Sequence, residues 1–204
     1  MDEQVSKKRL GIILSKLKSV ENPKITLEQY TTDSEVASTV LWKALVNGDI
    51  ESKLIADFGC GNGILGIGAL LLGAKKVFFI DKDKDSIKVL KENLELFSDF
   101  DFEIIESDIK NINIKVDTVI QNPPFGTRTK HADKEFLIKA FNSADNIYSF
   151  HKTSTKRFVE AISKDFRFKI VEELEFNFPL KQEYVHHKKN IQRIKVSCFH
   201  IVKA

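Results

Sequence analysis

Asn122-Pro123-Pro124-Phe125 follows an apolar run that contains Val116, Thr118, Val119 and Ile120. Asn and Pro are ordinary turn formers, but this order also builds a receptor for an amino group carried on an aromatic ring. Asn122 precedes a proline and is restricted to extended backbone. Pro123 and Pro124 lack N–H groups and have fixed φ, so the turn is rigid and offers carbonyl oxygens without competing donors. The side-chain oxygen of Asn122 and the carbonyl of Pro123 can each accept one N–H of an exocyclic amine. Phe125 can stack on the ring that bears it. Two acceptors arranged for a pyramidal nitrogen favour its sp3-like geometry over the planar ground state, so the amine becomes a nucleophile without a strong base.

The electrophile is suggested by IADFGCGNGILGIGALLLG, which runs from the end of one apolar run into a helical pattern. Gly61, Gly63 and Gly66 satisfy G-x-G-x-x-G, and Asp81 stands 20 residues after Gly61 at the tip of the next run. That spacing suits a carboxylate holding the hydroxyls of a ribose. Taken alone, the pattern fits a nicotinamide dinucleotide or a mere tight turn. Asp57 separates these options, because it lies two residues before Gly59, where a pyrophosphate would approach. A carboxylate repels an anion there but suits an ammonium or sulfonium cation. S-adenosylmethionine carries both cations and no phosphate. Asp108, past the third run, either faces the donor's adenine or caps a turn.

These groups need a scaffold that brings strand ends together. Short apolar runs at 54–58, 77–80, 102–105, 116–120 and 147–150 alternate with helical stretches, the pattern of parallel βα units. The segments 166–176 and 191–202 are longer, alternate in polarity and are joined without a helical pattern, which predicts a closing antiparallel pair. The expected fold is α/β: a mostly parallel seven-stranded sheet with an antiparallel C-terminal strand and helices on both faces. The fourth strand would lie beside the first, so the Asn-Pro-Pro loop and the glycine loop would meet at the point where such sheets bind ligands. Two helical patterns precede the first strand, the second starting after Asp33. At 204 residues the chain reads as one domain, with 1–48 forming N-terminal helices and a lid and 49–204 forming the core.

The net charge of +3 is unevenly spread. Residues 1–121 carry 16 Lys and Arg against 20 Asp and Glu, or −4, whereas residues 122–204 carry 16 against 9, or +7. All five histidines fall in the basic half, which suits contact with a phosphate backbone as well as a solvated face. His151 and Lys152 are candidates to touch RNA or to cap a strand end. The loop holding His186, His187, Lys188 and Lys189 is a second candidate. The histidines lack carboxylates or cysteines at ligand spacing, so no metal site is expected. Asp81–Asp85 is too short for a calcium loop. Cys60 and Cys198 cannot form a disulfide framework, no apolar run is long enough to span a membrane, and no signal peptide is recognisable; a cytoplasmic setting is expected.

With Asp57–Gly63, Asp81, Asp108 and Asn122–Phe125 in this order, the sequence resembles the class I S-adenosylmethionine-dependent methyltransferases, whose fold is Rossmann-like. More narrowly it resembles the methyltransferase-like protein 5 family of archaea and eukaryotes, which methylates adenine N6 in small-subunit ribosomal RNA. The likeness rests on LEQYTT at 27–32, NPPFGT at 122–127, SFHKTSTKR at 149–157 and HHKK at 186–189. It implies that Gln29 and Thr32 close over the methyl donor, that Gly59, Asn62 and Ile64 line it, and that Asp81 and Asp108 hold its ribose and adenine. Asn122, Pro123, Pro124 and Phe125 would take the target base. Thr31 stands where that family usually has Pro, and Asn62 where a Cys or small residue is usual. The family's eukaryotic members use a small zinc-containing activator that covers an apolar edge, which implies a similar partner at Phe97, Phe100, Phe102 and Ile104; these residues also fit ordinary core.

Rival acceptors are a glutamine amide in a protein, as release-factor methyltransferases use with a similar loop, and a DNA adenine or guanine N2. A non-catalytic RNA-binding or assembly protein is opposed by the intact Asn122–Phe125 and Asp57, and a nicotinamide enzyme by the same residues.

Overall fold

The structure, a computed structural model, describes residues 5–20, 32–124, 132–180 and 192–204. Helices α1 (Lys7–Leu14) and α2 (Ser34–Val46) precede the sheet. Asp33 starts α2 by accepting the N–H groups of Glu35 and Val36 at 2.9 and 3.2 Å, a helix cap of the usual kind. Strands β1 (Leu54–Phe58), β2 (Lys76–Asp81), β3 (Phe102–Glu106), β4 (Thr118–Gln121) and β5 (Asn146–Lys152) alternate with α3 (Ile64–Leu71), α4 (Lys84–Leu94) and α5 (Ala132–Ser143). After α6 (Lys156–Asp165) come the long β6 (Phe168–Leu180) and β7 (Gln192–Lys203).

The seven strands lie in the order β3-β2-β1-β4-β5-β7-β6. Strands β1 to β5 are parallel, and β7 runs antiparallel to both β5 and β6. The expected topology is therefore present, including the placement of β4 beside β1. Both faces of the sheet are covered, as a parallel sheet requires. Leu10, Leu14, Leu41, Ile67, Leu70 and Leu90 from α1 to α4 form the core on one face, and Leu137, Phe141, Val159 and Ile162 from α5 and α6 form it on the other.

The fourth strand differs from the run at 116–120. Asp117 meets Leu54 twice, its side chain accepting the Leu54 N–H at 2.7 Å and its own N–H donating to the Leu54 carbonyl at 2.9 Å, and the paired register begins one residue on, at Thr118. It ends at Gln121, opposite Phe58 on one side and Ser149 on the other. The outer strand β6 carries a bulge between Ile170 and Glu172, where Val171 is exposed. Such a kink discourages edge-to-edge pairing. Among the described residues, no helix is long and apolar enough to cross a membrane.

Candidate active site

The turn after β1 is built by glycines for backbone reasons. Gly63, which begins α3, has φ of +86°, a conformation costly for side-chain-bearing residues. Gly66 lets α3 lie flat on the sheet, since a Cβ there would sit 2.2 Å from the Phe79 ring. The same residue donates its N–H to Asp57 Oδ2 at 2.9 Å. The loop is tied to β2 by Gly59 and Cys60, whose N–H groups both donate to the Ile80 carbonyl, at 2.8 and 3.1 Å.

Asp57 is buried, and its other oxygen, Oδ1, has no hydrogen-bond partner among the described residues. Burial, opposed by the Gly66 N–H and reinforced by the nearby Asp81 charge, pushes its pKa up to about 7. An unpartnered buried carboxylate oxygen beside a glycine turn is a ready counterion for a ligand cation. The residues present thus fit the expected methyl donor. Asp81 accepts the Gly61 N–H at 2.9 Å with Oδ2 and the Asp83 N–H at 2.9 Å with Oδ1, which holds the carboxylate across the mouth of the loop. Burial also raises the Asp81 pKa.

A pH dependence follows. Below about pH 7 the donor-free protein holds Asp57 protonated, and binding a cation against it must expel that proton. Donor affinity is expected to fall about tenfold per unit as the pH drops below 7 and to level off above it. Calorimetry in buffers of different ionisation enthalpy would detect close to one proton released at acid pH. The sign for stability is the reverse. A carboxylate raised above its ordinary value of 3.8 favours the fold only while protonated, so its contribution is lost as the pH rises through about 7.

Asn62 is bonded within the protein. Its Nδ2 donates to the Lys18 carbonyl at 3.0 Å, and its own carbonyl accepts Asn93 Nδ2 at 2.9 Å. Asn93 also accepts the Lys18 N–H at 2.8 Å, so the two asparagines clamp the chain leaving α1 to the glycine loop. Asn93, a polar group on the buried side of α4, went unnoticed in the sequence. Ile64 is buried at the start of α3, where it can wall the site. Asp108 caps the turn Ile109–Asn111 by accepting the Lys110 N–H at 3.0 Å, and it pairs with Lys82 at 3.2 Å. The Lys110 bond and the Lys82 charge hold its pKa below the usual range.

On the neighbouring strand, Asn122 leaves β4 one residue past the Phe58–Gln121 pair, level with Gly59. Its Nδ2 donates to the Thr32 hydroxyl at 2.9 Å. This bond takes one N–H of the amide and orients the group so that Oδ1, which accepts no bond from a described residue, is turned away from Thr32 as an acceptor. Thr32, expected from the resemblance to close over the donor, is buried and touches Asn122. Pro123 is buried and Pro124 half-buried. Gln29, Phe125, His187, Lys188 and Lys189 lie outside the described residues, as do Thr31 and His186.

Thr32→Val keeps the shape and removes the hydroxyl, so the Asn122 amide loses its fixed sense. Methyl transfer should fall roughly five- to tenfold, the worth of one hydrogen bond, with donor affinity unchanged. Single-turnover kinetics beside calorimetry would check this; loss of donor affinity instead would put Thr32 on the donor.

His151 and Lys152 separate. Lys152 is half-exposed at the end of β5. His151 is buried. Its Nε2 lies 2.7 Å from Ser149 Oγ, and burial pushes its pKa down to about 3. Ser149 in turn accepts Gln121 Nε2 at 2.9 Å. Gln121 and Ser149 were missed, although a polar residue ending or interrupting an apolar strand is a visible signal.

The methyltransferase small domain family matches residues 31–148. Protein MJ0284 of Methanocaldococcus jannaschii is 40% identical over 98% of this chain and 95% of its own. The rRNA N(6)-adenosine-methyltransferase METTL5 of Danio rerio is 36% identical over 93% of this chain and 95% of its own. The crystal structure of PH1948 from Pyrococcus horikoshii matches with a TM-score of 0.90 at 44% identity, covering 97% of each chain. A sheet of this order, with a glycine turn and a paired acid after its first two strands and Asn-Pro-Pro after its fourth, defines a class I S-adenosylmethionine-dependent methyltransferase. The chain belongs to the methyltransferase-like protein 5 family.

Proposed function

We propose that this protein methylates N6 of an adenine in RNA, with small-subunit ribosomal RNA as its substrate and the cytoplasm as its place of work. The observation that carries this reading is the Asn122 amide, one N–H of which is held by Thr32 so that the group is oriented and its oxygen is offered to an acceptor amine. S-adenosylmethionine supplies an electrophilic methyl group when bound. Asp57 would hold its ammonium, Asp81 its ribose, and Gly59, Gly61, Gly63 and Ile64 would line it. Asp108 would take the adenine through whatever acceptor capacity its cap and Lys82 leave.

Asn122 Oδ1 and the Pro123 carbonyl would accept the two N–H groups of the target amine, Pro124 would keep the turn rigid, and Phe125 would stack on the base. No buried general base is needed, because the acquired positive charge makes the proton acidic enough to leave to water once the new bond has formed. The target adenine must leave its stack to enter. Lys152 at the end of β5 and the basic loop with His187, Lys188 and Lys189 would bind flanking phosphates. The basic C-terminal half and the printed activity of the Danio rerio relative support RNA over a protein glutamine.

A partner belongs to this reading: a small zinc-ribbon activator at the edge formed by residues 100–104. Strand β3 ends the sheet, Phe102 and Ile104 are half-buried there, and Leu96 and Phe100 are exposed. Phe97 is buried in the core instead.

Transfer of a tritiated methyl group, offered small-subunit ribosomal RNA and a release factor in parallel, tests the acceptor class. Label is expected on RNA. Label on the release factor would establish the glutamine reading, and silence on both, with and without a zinc-ribbon activator, would overturn catalysis.

A further inference from the structure

Beneath the Asn-Pro-Pro loop lies a short polar ladder in an otherwise apolar layer. Gln121, Ser149 and His151 are all buried, on the face of the sheet covered by α5 and α6. Phe58 and Val119 flank Gln121 on that face, and the His151 ring lies 6.1 Å from the Phe199 ring. Polar groups in such surroundings cost free energy unless bonded, so their arrangement carries information.

The contacts join the three side chains into one chain, with the Gln121 carbonyl oxygen Oε1 left without a partner among the described residues. Gln121 Nε2 can only donate, so Ser149 Oγ accepts from it. The Ser149 hydroxyl is then able to give its own hydrogen to His151 Nε2, 2.7 Å away. In that arrangement the nitrogen is a bare acceptor, and a neutral imidazole carries its proton on Nδ1. Protonation would put two donors on Ser149 and reverse the hydroxyl. Burial disfavours the charged ring as well.

The ladder has a mechanical consequence. Gln121 is the last residue of β4, and Asn122 and Pro123, the two acceptors for the amine, follow it directly. Ser149 pairs with Gln121 across the ladder of β4 and β5. Holding the Gln121 side chain sets the direction in which the chain leaves the sheet. Thr32 fixes the Asn122 side chain from the opposite side. A misplacement of about 1 Å at a reacting centre can cost a hundredfold in rate.

We propose that Gln121, Ser149 and neutral His151 are positioning residues for methyl transfer, acting as one ordered hydrogen-bond chain that aims the acceptor oxygens of Asn122 and Pro123 at the target amine. The inference rests on the proposed role of that loop. It does not depend on whether the amine belongs to an adenine or a glutamine, so the experiment uses whichever acceptor the wild-type protein labels. Failure to label adenine would overturn the substrate reading alone.

The test compares His151→Phe, which keeps a ring but loses the acceptor, with His151→Gln, which presents an amide oxygen at similar reach. His151→Phe should lower kcat about 10- to 100-fold, with the KM for the acceptor and the Kd for S-adenosylmethionine within about twofold. His151→Gln should recover kcat to within about threefold of wild type, the cost of a slightly misplaced bond. Ser149→Ala should match His151→Phe, and the double variant should lose no more than either single one, because the residues act in series. Should His151→Phe fail to fold, Ser149→Ala carries the comparison. Equal losses in His151→Phe and His151→Gln, a rise in acceptor KM with kcat held, or losses that track the melting temperature would each overturn the proposal.

Discussion

Asn122→Ala is expected to lower the rate of methyl transfer by about a hundredfold or more while donor affinity stays within about twofold. The side chain follows the end of β4, one residue past the Phe58–Gln121 pair, and is held by Thr32 rather than by any group of the glycine loop. Removing it therefore deletes one of the two oxygens that favour a pyramidal amine and leaves Asp57 and Asp81 in place. The remaining acceptor, a Pro123 carbonyl on a rigid turn, accounts for whatever residual rate is seen. Asn122→Asp separates geometry from charge, since it retains an oxygen but cannot donate to Thr32 while ionised. Rapid-quench measurement of a single turnover at saturating donor would check the rate, and calorimetry the affinity.

Asp57→Asn is expected to weaken donor binding roughly a hundredfold, in the range found when one partner of a buried charge pair is neutralised. The amide keeps the volume and can still accept the Gly66 N–H, so the turn is preserved. Two further outcomes distinguish lost charge from a damaged fold. The pH dependence of donor affinity around 7 should vanish, because the titrating group is gone. The donor-free variant should melt at or above the wild-type temperature at pH 8, since a buried carboxylate with an unpartnered oxygen has been replaced by a neutral group. A variant that melts lower and binds weakly would instead report structural damage.

Much of this site was legible because it depends on backbone chemistry that few residues satisfy. Glycines are needed where φ is positive or a helix lies flat on a ring, as at Gly63 and Gly66. Adjacent prolines fix a turn whatever surrounds them. The parallel sheet, with its fourth strand beside the first, followed from alternating runs, and even the closing antiparallel pair showed in its polarity. Pairings between distant residues were not legible. Thr32 and Asn122 are 90 positions apart, and Lys18 lies 44 and 75 positions from Asn62 and Asn93. Nothing local marks such bonds.

His151 illustrates a different limit. Beside Lys152 it reads as a candidate to touch RNA or to cap a strand end, and nothing in that pair shows that β5 buries the residues from Ile147 to His151 and lets only its end residues reach solvent. At the start of β4, Asp117 interrupts the apolar run and uses both its side chain and its N–H on Leu54. In both places a side chain's partner, rather than its type, decides its role.

The central claim is tested most directly by digesting small-subunit ribosomal RNA to nucleosides after incubation with the protein and S-adenosylmethionine, and weighing the products by mass spectrometry. The account predicts N6-methyladenosine as the methylated product, present with the wild-type protein and lost with Asn122→Ala. A methyl group on another atom or base, or N6-methyladenosine formed equally by Asn122→Ala, would contradict it.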